Sequence, residues 1–321
     1  MKFDDKGICN YCRGDNFPEY IKKALERKIA LRKDFEKTIK SSRGEIYDCL
    51  VGVSGGKDSL YLLYLAKEKY NLRCLAFTVD NGLLSKYAKE NIRMATDRLG
   101  IDHVTIKPSP SFYKKFYKKL IETSNNGYMN NVCAACSELF HSFALRLAIE
   151  NDIPLILFGY SPDQITKYFY EIPEEELRKK KRIPKIMYSD DFTDEERMLF
   201  WAPTRKEVER IPRILFPYHV IPYPGVEEIE RILKKKGLIR VSSPLYTNCS
   251  LSWLTLYLDI KKNHFNPLEL NYSRLVREGK ANRWKWLIIF SVGNMLLRSG
   301  LIKRKEIDKS LGFLGLKLKE I

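Results

Sequence analysis

The apolar run Leu50-Val51-Gly52-Val53 passes without a break into Ser54-Gly55-Gly56-Lys57-Asp58-Ser59, and a helical pattern follows at once. Few folds accommodate an apolar strand that turns on two glycines straight into a helix. Paired glycines let the backbone turn tightly and present its N–H groups. The helix adds its unsatisfied first-turn donors and the positive end of its dipole. Lys57 contributes a cation, and Ser54 and Ser59 contribute hydroxyls. Asp58 is placed to cap the helix or to help hold a metal ion on phosphates. Two glycines alone would mean only a turn, but this whole segment predicts an anion cradle. Its spacing is too short for the Gly-x-x-x-x-Gly-Lys-Ser/Thr phosphate loop.

The flanking pattern supports that reading. Strands are predicted over 47–53, 73–79, 103–106 and 154–159, and helices over 19–40, 58–69, 84–99 and 137–150. This alternation predicts an α/β fold, a parallel sheet with helices on both faces. Ligands of such sheets sit beyond the carboxyl ends of the strands. The chain divides into a Cys-bearing leader and helix (1–45), the core that carries the cradle (46–165) and a mostly helical C-terminal region (166–321). That last region holds a charged run over 174–185, a Pro-rich connection over 203–224, and helices over 226–236, 251–262 and 283–297.

A net charge of +17 over 321 residues implies attraction to polyanions, or simply a Lys-rich solvated surface. No apolar run approaches a membrane span, and the start of the chain lacks the apolar stretch of a signal peptide. A cytoplasmic protein with no membrane partner is the expectation. The seven cysteines are an odd number, which argues against a disulfide framework.

With its Ser-Gly-Gly-x-Asp-Ser loop after the first strand, the chain resembles the PP-loop (N-type) ATP pyrophosphatases, which have the adenine nucleotide alpha-hydrolase fold. Thr78-Val79-Asp80-Asn81-Gly82-Leu83 is also similar to that class, where this edge holds adenine and ribose. The resemblance implies an ATP site made by Ser54, Gly55, Gly56, Lys57, Asp58 and Ser59 with Val79, Asp80 and Gly159, and Mg2+ on the phosphates. It implies that ATP adenylates a carbonyl or amide oxygen, pyrophosphate leaves, and a nitrogen or sulfur nucleophile displaces AMP. Lys57 and Asp58 would be catalytic.

Within the class, several segments resemble N-acetyl sugar amidotransferases. They are Phe3 to Cys12, Leu99 to Pro110, Cys133-Ala134-Ala135-Cys136, Ile153 to Gly159 and Tyr246-Thr247-Asn248-Cys249. After strand four this chain reads Gly159-Tyr160-Ser161-Pro162-Asp163-Gln164, where that family has Gly-Glu-Asn-Pro. The likeness implies replacement of an acetamido oxygen by nitrogen, with ammonia from a glutaminase partner. The alternative is a tRNA thiolase fed by a sulfur donor, whose Cys-x-x-Cys and distant third Cys hold a [4Fe–4S] cluster.

The cysteines keep both readings open. Cys49 and Cys74 lie in apolar strands and read as small buried hydrophobes. Cys9 and Cys12 form half a zinc knuckle. Cys133 and Cys136 are read at the start of a helix, where the dipole favours thiolate, and are candidate catalytic residues. With Cys249 they match three ligands of a cubane, and with Cys9 and Cys12 they match a Zn2+ site. His141 reads as a satisfied helix-face histidine, and Arg178 to Arg182 as a solvated face. Trp253, Tyr257, Trp284 and Trp286 read as core or interface, and the late apolar helices suit a homodimer.

Overall fold

The computed structural model describes residues 5, 17–124, 127–162, 164, 168–178, 182–200, 210–240, 248–277 and 281–319. The chain begins with α1 (Phe17–Ser41), β1 (Cys49–Gly52) and α2 (Lys57–Tyr64, prolonged as a π-helical turn to Lys69), then β2 (Cys74–Val79) and α3 (Lys86–Leu99). Next come β3 (Asp102–Ile106), α4 (Pro110–Thr123), α5 (Tyr128–Glu150) and β4 (Leu155–Phe158). A short-element region follows, with β5 (Glu171–Ile172), α6 (Glu174–Leu177), α7 (Asp194–Met198), β6 (Arg213–Leu215) and α8 (Val226–Lys235). Four helices close the chain: α9 (Leu251–Lys262), α10 (Leu268–Arg277), α11 (Arg283–Arg298) and α12 (Arg304–Leu314).

The six strands form one sheet in the order β3-β2-β1-β4-β6-β5. The pairs β3-β2, β2-β1, β1-β4 and β4-β6 are parallel. Among the described residues only β5, at the edge, runs antiparallel, so the sheet is mostly rather than wholly parallel. Alternate strand residues point to opposite faces, and each face has its own core. Leu50, Leu75, Phe77, Ile156, Phe158 and Ile214 pack under residues of α4, α5, α9 and α12. Cys49, Val51, Cys74, Ala76, Leu155, Leu157 and Leu215 pack under α2, α3, α8 and the Phe35–Ile39 end of α1.

Several expectations need correction. The Pro-rich stretch contains β6, too short at three residues to show a period, with Pro212 before it and Pro217 after it. The helix expected from Ser137 starts at Tyr128, so Cys133 and Cys136 lie within it and not at its start. Asp259 of α9, fully buried, accepts from the backbone N–H of Tyr128 at 2.8 Å and of Met129 at 2.9 Å. The positive end of α5 is thereby satisfied by another helix. The same helix is long and apolar enough by composition to cross a membrane. Its contacts with β1, β2, β4 and α9 account for that apolarity, because it is a core helix packed on the sheet.

Candidate functional site

The strand order sets the site. Since β2, β1 and β4 are adjacent and parallel, the residues just after them, 54–59, 80–85 and 159, meet at one edge of the sheet. Val53 donates to the Phe77 carbonyl at 2.8 Å, which fixes the end of β1. Gly55 then takes φ +76°, and a Cβ there would lie 2.3 Å from the Ala88 carbonyl oxygen. Glycine is required on both counts. Ser59 Oγ folds back to donate to the Gly56 carbonyl at 3.0 Å and accepts from the Ser54 N–H at 3.2 Å. The N-cap of α2 is Gly56, with no side-chain cap bond. The first-turn N–H groups of α2 are thus left without a side-chain cap, beside Lys57, as donors for an anion.

Asp58 does not cap α2. Its Oδ2 lies 3.0 Å from Lys57 Nζ, and its Oδ1 accepts from the Tyr223 hydroxyl at 2.7 Å. Tyr218 donates to the Asp58 carbonyl at 2.7 Å. Both tyrosines belong to the Pro-rich stretch, and no sequence signal marks them as site residues. Gly159 backs the loop: a Cβ on it would come 2.7 Å from Ser59 Cα and 2.9 Å from the Asp58 carbonyl oxygen.

At the end of β2, Val79 is half-buried and Asp80 buried. Asp80 accepts from Lys89 Nζ at 2.7 Å and from the Gly82 N–H at 2.9 Å. Burial opposes its ionisation, but Lys89 and the Gly82 N–H outweigh burial and hold the carboxyl below its ordinary range. Asn248 stands across the loop, with Nδ2 3.4 Å from Ser54 Oγ.

The next residue, Cys249, belongs to a second group. Asn81 Nδ2 reaches Cys249 Sγ at 3.5 Å and the Tyr117 hydroxyl at 3.0 Å. That hydroxyl lies 3.4 Å from Cys136 Sγ. Cys133, one helical turn before Cys136 and exposed at the mouth of the group, is near enough that Cys136 and Cys249 act on its ionisation. Although the residue as a whole is exposed, desolvation of its thiol, then the neighbouring thiols, push Cys133 up to about 12. Burial likewise pushes Cys136 up to about 11 against the Tyr117 hydrogen bond. The expectation of dipole-favoured thiolates is thus overturned, since Asp259 takes the dipole and desolvation dominates. Among the described residues, no three His, Cys, Asp or Glu side chains form a group that holds a metal ion as they stand. By donor chemistry the three thiols do fit a soft-metal or iron–sulfur group. Cys9 and Cys12 lie outside the described residues.

Behind the thiols is a buried polar chain. Arg182, only 9% exposed, donates to Glu138 Oε2 at 2.8 Å and lies 3.2 Å from His141 Nδ1. His141 Nε2 lies 3.2 Å from the Tyr160 hydroxyl, and Tyr168 donates to Glu138 at 2.7 Å. His141 is a satisfied core histidine. Arg182 departs from the solvated face read for its run, because Glu138 pairs with it inside.

No protein-family model matches the chain. Over 165 residues it is 28% identical to an uncharacterized protein of Methanocaldococcus jannaschii, covering 50% of this chain and 53% of that one. Over 100 residues it is 33% identical to the glutamine-hydrolyzing GMP synthase of Chlamydia caviae, covering 30% and 20%. Over 122 residues it is 27% identical to the tRNA(Ile)-lysidine synthase of Rickettsia typhi, covering 37% and 25%. The chain thus spans about half the length of the first of these curated relatives and a quarter or less of the other two. Among solved structures, the U34-tRNA thiolase NcsA of Methanococcus maripaludis with its [4Fe–4S] cluster overlays at TM-score 0.36 with 18% identity, over 74% of each chain. Overlays this loose do not bear on substrate.

Proposed function

We propose a function from the premise that the chain is a member of the PP-loop ATP pyrophosphatase superfamily. It binds ATP with the phosphates on Ser54, Gly55, Gly56, Lys57, Asp58 and Ser59, and with adenine and ribose toward Val79 and Asp80. A carbonyl or amide oxygen of the acceptor attacks the α-phosphorus. A new O–P bond forms, the bond to the β-phosphate oxygen breaks, and pyrophosphate leaves with its electron pair. Ammonia then adds to the activated carbon, and AMP departs with the original oxygen. The product carries nitrogen where oxygen was.

The observation that carries this reading is the uncapped start of α2 behind Gly55 and Gly56, with Lys57 beside it. Donors fixed in place before charge develops on the leaving pyrophosphate need no reorganisation. Asp58 would help hold Mg2+, which neutralises phosphate charge. Lys57 and Asp58 act on the reacting phosphates. The acceptor is an N-acetyl sugar, supported by family-like segments spread from Phe3 to Cys249. Ammonia comes from a glutaminase partner, in line with the glutamine hydrolysis named for the C. caviae relative. Three regions share the work: the leader (1–45), the ATP-binding core (46–165) and the helical region (166–321). The enzyme is cytoplasmic.

A second reading is favoured by one observation, the placement of Cys136 and Cys249 on Tyr117 and Asn81, with Cys133 near enough that both thiols act on its ionisation. It makes the chain a tRNA sulfurtransferase in which these three cysteines would hold a [4Fe–4S] cluster, which would supply a binding position for sulfur. Charge separates the two readings. An RNA contacted through about five phosphates weakens with salt at a log–log slope of roughly −4, whereas a nucleotide-sugar responds far less. The test titrates bulk tRNA and UDP-acetamido sugars across a salt series, then supplies ATP with ammonia and sugar or with sulfide and tRNA. Nitrogen incorporated into sugar supports the first reading. Thiolated tRNA with no sugar product replaces it by the second.

A further inference from the structure

The segment Asn248–Ser250 joins the phosphate loop to the thiol group by a step of one residue. It pairs with the residues after β2: Leu84 and Cys249 form an antiparallel bridge. The Ser85 N–H donates to the Asn248 carbonyl at 2.8 Å, and the Ser250 N–H donates to the Leu83 carbonyl at 3.0 Å. Adjacent residues in extended backbone point to opposite sides. Asn248 accordingly reaches Ser54 Oγ at 3.4 Å, while Cys249 reaches Asn81 at 3.5 Å. A Cβ on Gly56 would come 2.6 Å from Asn248 Nδ2, so the side-chain amide lies directly on the loop. Its other end, Oδ1, is buried with no hydrogen-bond partner among the described residues. A buried carbonyl without a donor destabilises a fold. This amide is therefore held over the loop against the interest of stability.

We propose that Asn248 is a positioning residue for the nucleotide, donating Nδ2–H to a phosphate oxygen in the loop, and that this contact transmits loop occupancy to Cys249. The proposal rests on the reading of residues 54–59 as the phosphate site. It extends the site by a residue that lies 194 positions from Ser54 in sequence yet belongs to the same cradle. Because Ser85 is also the N-cap of α3, accepting from the Ala88 N–H at 3.1 Å, a nucleotide that immobilises Asn248 immobilises the bridge and the start of α3 together.

The test compares wild type, Asn248→Asp and Asn248→Ala by calorimetric titration with a non-hydrolysable ATP analogue and Mg2+, and by hydrogen exchange read by mass spectrometry. Asp keeps the shape but sets a negative charge against the phosphates, so affinity falls tenfold or more, as expected for a lost hydrogen bond to a charged group. Ala removes the buried orphan carbonyl, so its Tm stays level or rises while affinity falls several-fold. A merely structural asparagine would give the reverse, a lower Tm with unchanged affinity, and that result overturns the proposal. In wild type the analogue slows exchange in 54–59 and in the bridge segments 83–85 and 248–250. Slowing confined to 54–59 overturns the coupling even if both variants fail to fold. A wild type that binds no analogue at all fails at the earlier step, the phosphate-site reading itself.

Discussion

The Tyr223 hydroxyl donates to Asp58 Oδ1 at 2.7 Å, which ties the segment after β6 to the first turn of α2. With Lys57 Nζ 3.0 Å from the other carboxylate oxygen, Asp58 is held from two sides. Tyr223→Phe removes one charge-assisted hydrogen bond of the kind that contributes about 1.5–3 kcal/mol. It should slow ATP cleavage by about tenfold or more while the Tm moves by only a few degrees. Steady-state release of AMP measures this. An unchanged rate would mean that the orientation of Asp58 does not matter to turnover.

Gly159 presses on backbone, since a Cβ there meets Ser59 Cα at 2.7 Å and the Asp58 carbonyl oxygen at 2.9 Å. Backbone atoms at a helix start cannot swing aside as a flexible side chain does. Gly159→Ala should therefore cost about 1–3 kcal/mol of stability, as overpacking does, and weaken ATP binding by displacing the loop. Urea denaturation and nucleotide titration check both. A variant with wild-type affinity would show that the loop tolerates displacement.

Much of this site is legible in the sequence because its parts are local. Ser54 to Ser59 must turn after a strand and open a helix, and the Gly-Gly pair states that within six letters. The strands β1, β2 and β4 declare themselves as apolar runs. What escapes is assembled from far apart. Tyr218, Tyr223 and β6 sit among prolines that read as a connection, and only the pairing of β6 with β4 brings them to Asp58. The start of α5 escapes because its N-cap is Gly127, which has no side chain to announce it. The acceptor is Asp259, more than a hundred residues on.

Asp48, just before β1 and so at the sheet edge opposite the site, gives a pH test of the fold. It accepts from Arg73 at both the backbone N–H, 2.9 Å, and Nη2, 2.8 Å. Burial opposes its ionisation, but Arg73 and the Gly44 N–H outweigh burial and hold its carboxyl below the ordinary range. A carboxyl depressed by folding stabilises the protein fully above its unfolded pKa of about 4, and that stability is lost as pH falls through the folded value. Asp48→Asn should cost about 2–3 kcal/mol at pH 7, and the gap to wild type should narrow as the solution is taken below about pH 4. A gap independent of pH, followed by urea melts, would assign the effect to packing alone.

The helix α11 leaves Trp284, Leu287, Ile288, Val292 and Met295 each 45% exposed or more, at helical spacing along one stripe. With exposed Leu301 beyond its end, that face has the apolar character that self-associating proteins bury, and a standard interface takes about 800 Å2 per partner. The expected occupant is a second copy, because one continuous helical stripe meets its own image under two-fold symmetry. Sedimentation should show a dimer that Ile288→Lys converts to a folded monomer. A wild type that sediments as a monomer at every concentration contradicts it.

The most direct test of the account separates the nucleotide products when the protein turns over ATP and Mg2+ with an acceptor. Attack at the α-phosphorus, with pyrophosphate leaving against the start of α2, yields AMP and pyrophosphate in equal amounts. Lys57→Ala should reduce both together, by about a hundredfold if the cation stabilises the departing charge as other preorganised donors do. Release of ADP and phosphate, or AMP formation undiminished in Lys57→Ala, would contradict the assignment of Ser54 to Ser59 as the pyrophosphate-leaving site.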